Sequence, residues 1–267
     1  MSDKDSLHAY ALLDAMLGTG PATRAESEAL RRMIIRVPAG QTIAFESQPT
    51  RKAYMLLSGW ACSVRHLVNG CDQIFDIQLP GDLVGLSNLM LSAAPSAIEA
   101  ITPVELYPFS RHNLLAADEV NTSLRERLLF SMARDHAVLM EHLIGVARRK
   151  PQVRTAHFLL ELSERVTRAG LGERHRFVCP LSQYVLADVL GMTAVHLNRT
   201  LRSLREMDLV SFRHATVVII DRPALIRFAE FNPAYLDHDP AQRLLRPIDD
   251  FRHTAVGPHY AGPPRPQ

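Results

Sequence analysis

The 267-residue sequence predicts an α+β protein: an antiparallel β-roll of the jelly-roll (double-stranded β-helix) type, a long helix, and a C-terminal winged helix-turn-helix. Three observations carry this reading. Short apolar runs punctuated by glycine turns fill residues 37–109, a 3-4 apolar repeat runs through residues 129–146, and two capped helical segments meet at Gly191. The first pattern is that of a small barrel or roll, the second that of a helix seam, and the third that of a helix-turn-helix.

At roughly 150 residues per domain the chain has room for two cored domains. Hydrophobic residues at 47% and charged residues at 22% match soluble globular chains and exclude wholesale disorder. The longest uncharged run, Leu83 to Ile98, is interrupted by Asn88, Pro95 and three serines. It falls short of the roughly 20 apolar residues that span a bilayer, so no membrane partner is expected. Asp3, Lys4, Asp5 and His8 precede only a short apolar stretch, unlike a secretory signal, and this places the protein in the cytoplasm. Cys62, Cys71 and Cys179 are odd in number and lack CxxC spacing, so neither a disulfide framework nor a metal site is expected.

The net charge of +2 hides an asymmetry. Residues 1–147 hold 12 Lys/Arg against 16 Asp/Glu, whereas residues 148–235 hold 14 against 8. A basic module joined to an acidic one points to a polyanion partner for the basic part.

Taken in order, residues 7–35 show helical spacing (Leu7, Leu12, Leu13, Met16, then Leu30, Met33, Ile34) broken at Gly18-Thr19-Gly20-Pro21, which gives two short helices. Strand-like runs such as Tyr54-Met55-Leu56-Leu57 and Gln73-Ile74-Phe75-Asp76-Ile77 follow, separated by Ser58-Gly59, Asn69-Gly70 and Pro80-Gly81-Asp82. Helix returns at about Asn113 and runs to Lys150, where Pro151 stops or redirects it. Within it Leu129, Met132, His136, Leu139, Leu143 and Val146 form a seam suited to a partner helix. Gln152 to Arg168 reads as an amphipathic helix ended by Gly170-Leu171-Gly172, and the prolines after Tyr235 read as a flexible tail. The chain thus divides into N-terminal helices and roll (1–112), a dimerisation helix (113–150), a winged helix-turn-helix (151–236) and a proline-rich tail (237–267).

The most informative stretch is Pro180 to Val210. Ser182 caps a helix whose Val185, Leu186, Val189 and Leu190 face inward, and Gly191 supplies the tight turn. Thr193 caps a second helix with Val195 or Leu197, Leu201 and Leu204 as core contacts and Arg199, Arg202 and Arg205 exposed. Leu209–Phe212 and Thr216–Ile220, around Arg213-His214-Ala215, make a wing. A helix in the major groove of double-stranded DNA reads guanine edges with arginine and thymine methyls with apolar groups, and its start holds phosphates. Arg199 and His196 are accordingly the base-reading candidates, with Val195 as a methyl contact. Ser182, Gln183, Thr193, Asn198 and Arg202 are the phosphate-holding candidates. The alternative for Arg199 is a surface salt bridge to Glu206 or Asp208.

Over roughly residues 30 to 235 the chain resembles the CRP/FNR family of bacterial transcription regulators. The likeness rests on the element order, the Pro80-Gly81-Asp82-Leu83-Val84-Gly85 turn, and Thr193-Ala194-Val195-His196-Leu197-Asn198-Arg199. It implies a cyclic-nucleotide-binding-like roll, a homodimer paired through the long helices, a palindromic promoter site and contact with RNA polymerase. Cyclic-nucleotide-binding members carry an Arg-Ser or Arg-Thr pair where this chain reads Ala94-Pro95-Ser96-Ala97. A buried phosphate without a guanidinium loses its strongest hydrogen bonds, which argues against cyclic AMP. The N-terminal cysteine cluster of the oxygen-sensing members is missing too, which argues against an iron–sulfur centre. His66, Cys71 or His112 would be the axial ligand of a haem, and Cys179, just before the helix-turn-helix, is the candidate redox thiol. An acidic residue common near the start of the family's recognition helix is replaced by Val195, so the DNA preference should differ.

The leading expectation is a dimeric DNA-binding regulator without a cyclic-nucleotide requirement. The alternative is a sensor whose roll binds a small effector that switches DNA binding. Catalysis finds no support in the motifs, which include no GxSxG, glycine-rich phosphate loop or HExxH.

Overall fold

A computed structural model describes Leu13, residues 31–110 and residues 122–236. The expected N-terminal helices for the most part, the start of the long helix, His112 and the proline-rich tail lie outside the described residues.

The roll consists of β1 (Ile35–Val37), β2 (Thr42–Ala44), β3 (Lys52–Ser58), β4 (Ala61–His66), β5 (Asp72–Gln78), β6 (Leu83–Val84), β7 (Ala97–Ala100) and β8 (Val104–Ser110). They form two four-stranded antiparallel sheets in the orders β1-β8-β3-β6 and β2-β7-β4-β5. Gly59 turns β3 into β4 at φ +84°, where any side chain would collide with the Pro103 carbonyl and Val104. β3 departs from the alternation expected of a half-exposed strand: everything from Ala53 to Ser58 is buried. Tyr54 and Leu56 face one cluster with Val84, Ile98 and Leu106. Ala53, Met55 and Leu57 face another, closed by Leu86 and Leu89 around helix α1 (Ser87–Met90) and by Leu13. A strand covered on both faces reads as a continuous apolar run.

Helix α2 (Thr122–Arg148) leads through Arg149 and Lys150 into α3 (Pro151–Arg168). Pro151 ends one helix by starting the next, since its missing N–H costs nothing at the first helical position. The C-terminal module continues with β9 (Gly172–Glu173), β10 (Arg176–Val178), α4 (Gln183–Val189), α5 (Ala194–Glu206), β11 (Val210–Arg213), β12 (Thr216–Ile219), α6 (Arg222–Ala229) and a 3₁₀ turn, Pro233–Leu236. Its sheet has the order β11-β12-β10-β9, so the expected two-stranded wing is part of a four-stranded sheet.

Periodicity assigns α3 a solvent face, but the structure buries that face as well. From Thr155 to Val166 every residue is buried, including His157, Glu161, Ser163, Glu164 and Arg165. The apolar side joins one core running from Trp60, Val64 and Ile77 of the roll through Val138 of α2 to Leu197 and Leu204 of α5. Buried charge must be paired, and here it is. Arg165 Nη2 donates to Asp82 Oδ2 at 3.0 Å and to the Ile77 carbonyl, while its Nη1 lies 3.2 Å from Asp76 Oδ1 and 3.5 Å from Glu161 Oε1. Arg134 of α2 holds the other Asp82 oxygen at 2.8 Å. His142 of α2 donates through Nδ1 to the Phe75 carbonyl and through Nε2 to Glu161, each at 3.1 Å. Both partners accept only, so the ring is an imidazolium. Tyr235 adds a hydroxyl to Glu161 Oε2 at 2.8 Å.

These contacts set the titration behaviour. Burial would push Asp82 and Glu161 up, but it is outweighed for Asp82 by Arg134 and Arg165 and for Glu161 by His142 and Arg165, and both carboxyls fall to about 2. Burial would likewise lower His142, yet Glu161 and the Phe75 carbonyl carry it to about 9. Burial pushes Asp135 up to about 7 and His157 down to about 4. Between those two values their contributions to stability run in opposite directions with pH and largely offset. Lowered carboxyls stabilise above their unfolded range and lose that contribution on acidification; a raised histidine stabilises below its unfolded value and loses it as pH rises through its folded value. Thermal stability should therefore be highest between about pH 5 and 6.5, fall toward about pH 2, and fall again from about pH 6.5 to 9. His142→Gln should flatten the alkaline limb in melts recorded across pH; an undiminished alkaline loss in that variant would assign it to another group.

Candidate nucleic-acid interface

The interface is built from two short helices and a hairpin. Ser182 Oγ accepts from the Val185 amide at 3.2 Å and starts α4; Thr193 Oγ1 accepts from the His196 amide at 3.2 Å and starts α5. Each cap satisfies a backbone donor that has no partner within its helix. Between them Gly191 adopts φ +58°, the left-handed conformation that permits the turn.

On α5 the inward positions are Leu197, Thr200 and Leu204, all buried. Of the two alternatives for the first core contact, Leu197 is the one inside; Val195 is 64% exposed. His196, Asn198, Arg199 and Arg202 share the solvent side with it. Arg202 Nε pairs with Glu206 at 2.7 Å. Glu206 is thereby taken, and Arg199 makes no ion pair among the described residues, so the salt-bridge alternative for Arg199 is not what forms. Asn198 Nδ2 donates to Gln183 Oε1 at 2.9 Å and to the Ala194 carbonyl at 3.1 Å. This bond ties the two helices together across their outer surface, where both residues are exposed.

The hairpin β11–β12 turns at His214 and Ala215 with φ of 49° and 54°, two consecutive left-handed residues that match the twist of the flanking strands. Arg213 and His214 are exposed at its tip. They are candidate backbone contacts that residue patterns on the recognition helix do not reveal. The β9–β10 hairpin, with exposed Arg174, His175 and Arg176, was also missed; its strands are too short for alternation to register.

Several sequence-stated candidates sit elsewhere. Cys179 is fully buried, its amide bonded to the Ala215 carbonyl at 2.8 Å, and burial pushes its thiol up to about 12. A protonated, enclosed thiol is a packing group, which corrects the expectation of a redox thiol there. Both ring nitrogens of His66 face carboxylates, Asp72 at 2.7 Å and Glu99 at 3.4 Å. Cys71 is exposed in the β4–β5 turn. In the roll, Ala94 is buried and its backbone is laced to Ser47 and Gln48 by hydrogen bonds of 2.8 and 3.0 Å. Its methyl group and the Pro95 ring occupy the segment where a cyclic phosphate would need a guanidinium, so these residues do not fit that ligand. On α2, Leu129, Met132, His136, Leu139, Leu143 and Val146 all lie on the exposed side, with Leu129 at 69% and Leu143 at 66%, while Val138 faces the core.

Comparison with known proteins gives a consistent result. Residues 34–119 match the cyclic nucleotide-binding domain and residues 153–228 the Crp-like helix-turn-helix domain. The nitrogen fixation regulation protein FixK of Rhizobium meliloti is 30% identical over 199 residues, which span 73% of this chain and 86% of that one. The fumarate and nitrate reduction regulatory protein of Yersinia pestis is 24% identical over 72% of this chain and 77% of its own. Among solved structures, FixK2 from Bradyrhizobium japonicum superposes with a TM-score of 0.65 at 24% identity, covering 73% of this chain and 96% of that one. A CRP-family regulator from Thermus thermophilus gives 0.60 at 22% identity over 73% and 96%. No helix among the described residues is long and apolar enough to cross a membrane.

Thr193→Ala removes the cap of α5 and should lower stability by about 1 kcal/mol, with Thr193→Ser retaining most of it. Chemical denaturation of both variants checks this; equal losses would mean that the hydroxyl is not the stabilising group.

Proposed function

This chain belongs to the CRP/FNR family of transcription regulators, and from that premise we propose that it works in the cytoplasm as a homodimer on a palindromic promoter, reading DNA with α5 and engaging RNA polymerase from that site, without cyclic AMP. The observation that carries the reading is Arg199, without an ion pair among the described residues, on the outer face of a capped helix beside His196 and Val195. An arginine there reaches guanine O6 and N7, and the two other side chains border the same edge. The exposed donors of Ser182, Thr193 and Gln183, with Arg202, Arg213 and His214 around them, supply the phosphate contacts that set register.

The α2 stripe supplies the dimer. Its apolar positions face outward while the opposite side of the same helix packs on the chain's own core, so pairing with a second copy covers the stripe without disturbing either fold. Two recognition helices related by that two-fold axis would reach successive major grooves, about 34 Å apart. A binding protein rather than a catalyst is proposed, in keeping with relatives named as regulatory proteins. The reading requires no iron–sulfur cluster.

A second reading, a roll that holds a small effector, is favoured by Asn88. Its amide nitrogen is buried in α1 and has no hydrogen-bond acceptor among the described residues. A ligand carbonyl or carboxylate would satisfy it.

Selection of genomic fragments by the purified protein at stated salt tests the main reading: enrichment of one palindrome supports it, and binding no stronger than to random DNA overturns it. On the selected site Arg199→Ala should cost about 1–3 kcal/mol and relax one position per half-site. An equal loss on random DNA would make Arg199 a phosphate contact. Leu143→Glu should sediment as a monomer; an intact dimer would place the interface elsewhere.

A further inference from the structure

The geometry points to Arg165 as a positioning residue that, through Asp82, sets the spacing at which the dimer presents its two recognition helices. The inference rests on the DNA-binding reading above. Asp82 lies in the turn between β5 and β6 of the roll, and each of its oxygens is held by an arginine of a different helix. Arg134 of α2 takes one at 2.8 Å and Arg165 of α3 takes the other at 3.0 Å, while the Leu79 amide donates to the second oxygen at 2.9 Å. The site is dry: the side chains of Arg165, Asp82 and Arg134 are 6%, 10% and 11% exposed.

Buried ion pairs return little net stability, because removing charge from water costs about what the pairing gains. What this joint supplies is direction. A guanidinium is planar, and four acceptors on Arg165 (Asp82, Asp76, Glu161 and the Ile77 carbonyl) leave it one orientation. That orientation fixes α3, which carries α4 and α5, relative to α2, which carries the proposed two-fold axis. A neutral hydrogen bond also joins roll and helix-turn-helix: Gln73 Nε2 of β5 donates to the Asp188 carbonyl of α4 at 2.9 Å. In a dimer the distance and rotation between the two α5 helices are then determined by this joint in each protomer.

The test uses the full chain on the palindrome recovered by selection, on the same site with its half-sites moved by one and two base pairs, and on a single half-site. Arg165→Lys keeps the charge but not the fork, and Asp82→Asn replaces one acceptor oxygen by a donor; they loosen the joint from opposite sides. Wild type should lose about tenfold or more in affinity when the spacing is changed. Each variant should lose about tenfold on the original spacing, less than about threefold further when it is changed, and little on the half-site. A variant with a lower melting temperature but the full wild-type spacing penalty overturns the proposal, since a merely structural role predicts that pattern. If neither variant shows a cooperative unfolding transition, the joint is a folding element and the proposal also falls. Wild-type protein without preference for a palindrome overturns the DNA-binding reading itself, and this inference with it.

Discussion

Two guanidinium groups share one buried carboxylate, and the arrangement of the whole molecule depends on it. Asp82 belongs to the roll, Arg134 to the long helix and Arg165 to the first helix of the DNA-binding module. If any one of the three shifted, a charge would be left without its partner in a medium that solvates it poorly, at a cost of several kcal/mol. The apolar core running from Trp60 to Leu204 tolerates small slides, because dispersion is not directional. The ionic joint does not, and it converts a continuous core into a defined pose.

The same logic explains the polar face of α3. Glu161 receives His142, Arg165 and Tyr235 from three elements, and Glu164 receives Arg222 from α6. A helix that is buried all round yet carries four buried charged or ionisable side chains, His157, Glu161, Glu164 and Arg165, is stable here because each finds a partner before it loses water. The helix-turn-helix rests on this platform with its apolar side down, which leaves its outer face to be composed for recognition alone.

Much of this was legible in the sequence, and the part that was not has a physical reason. The caps at Ser182 and Thr193, the turn at Gly191, the wing and the outward stripe of α2 all follow from local rules, in which the relevant partners lie within a few residues. Asp76, Asp82 and Arg165 are read locally as surface charges, because the pairs Arg165–Asp76 and Arg165–Asp82 join residues more than 80 positions apart and leave no periodic trace. β3 shows the same limit: only the placement of α1 and Leu13 reveals that its second face is covered. Cys179 was singled out by its position before the helix-turn-helix, but burial, which position does not report, decides its chemistry.

The two residues between α2 and α3, Arg149 and Lys150, give the joint between the long helix and the helix-turn-helix module almost no slack. Detached from the roll, the module would carry Glu161, Arg165 and the apolar flank of Phe158 into water, and Asp76 and Asp82 would each lose the guanidinium of Arg165. Roll and helix-turn-helix in this chain are therefore not interchangeable parts: a graft between relatives would have to carry the acidic turn and its arginines together.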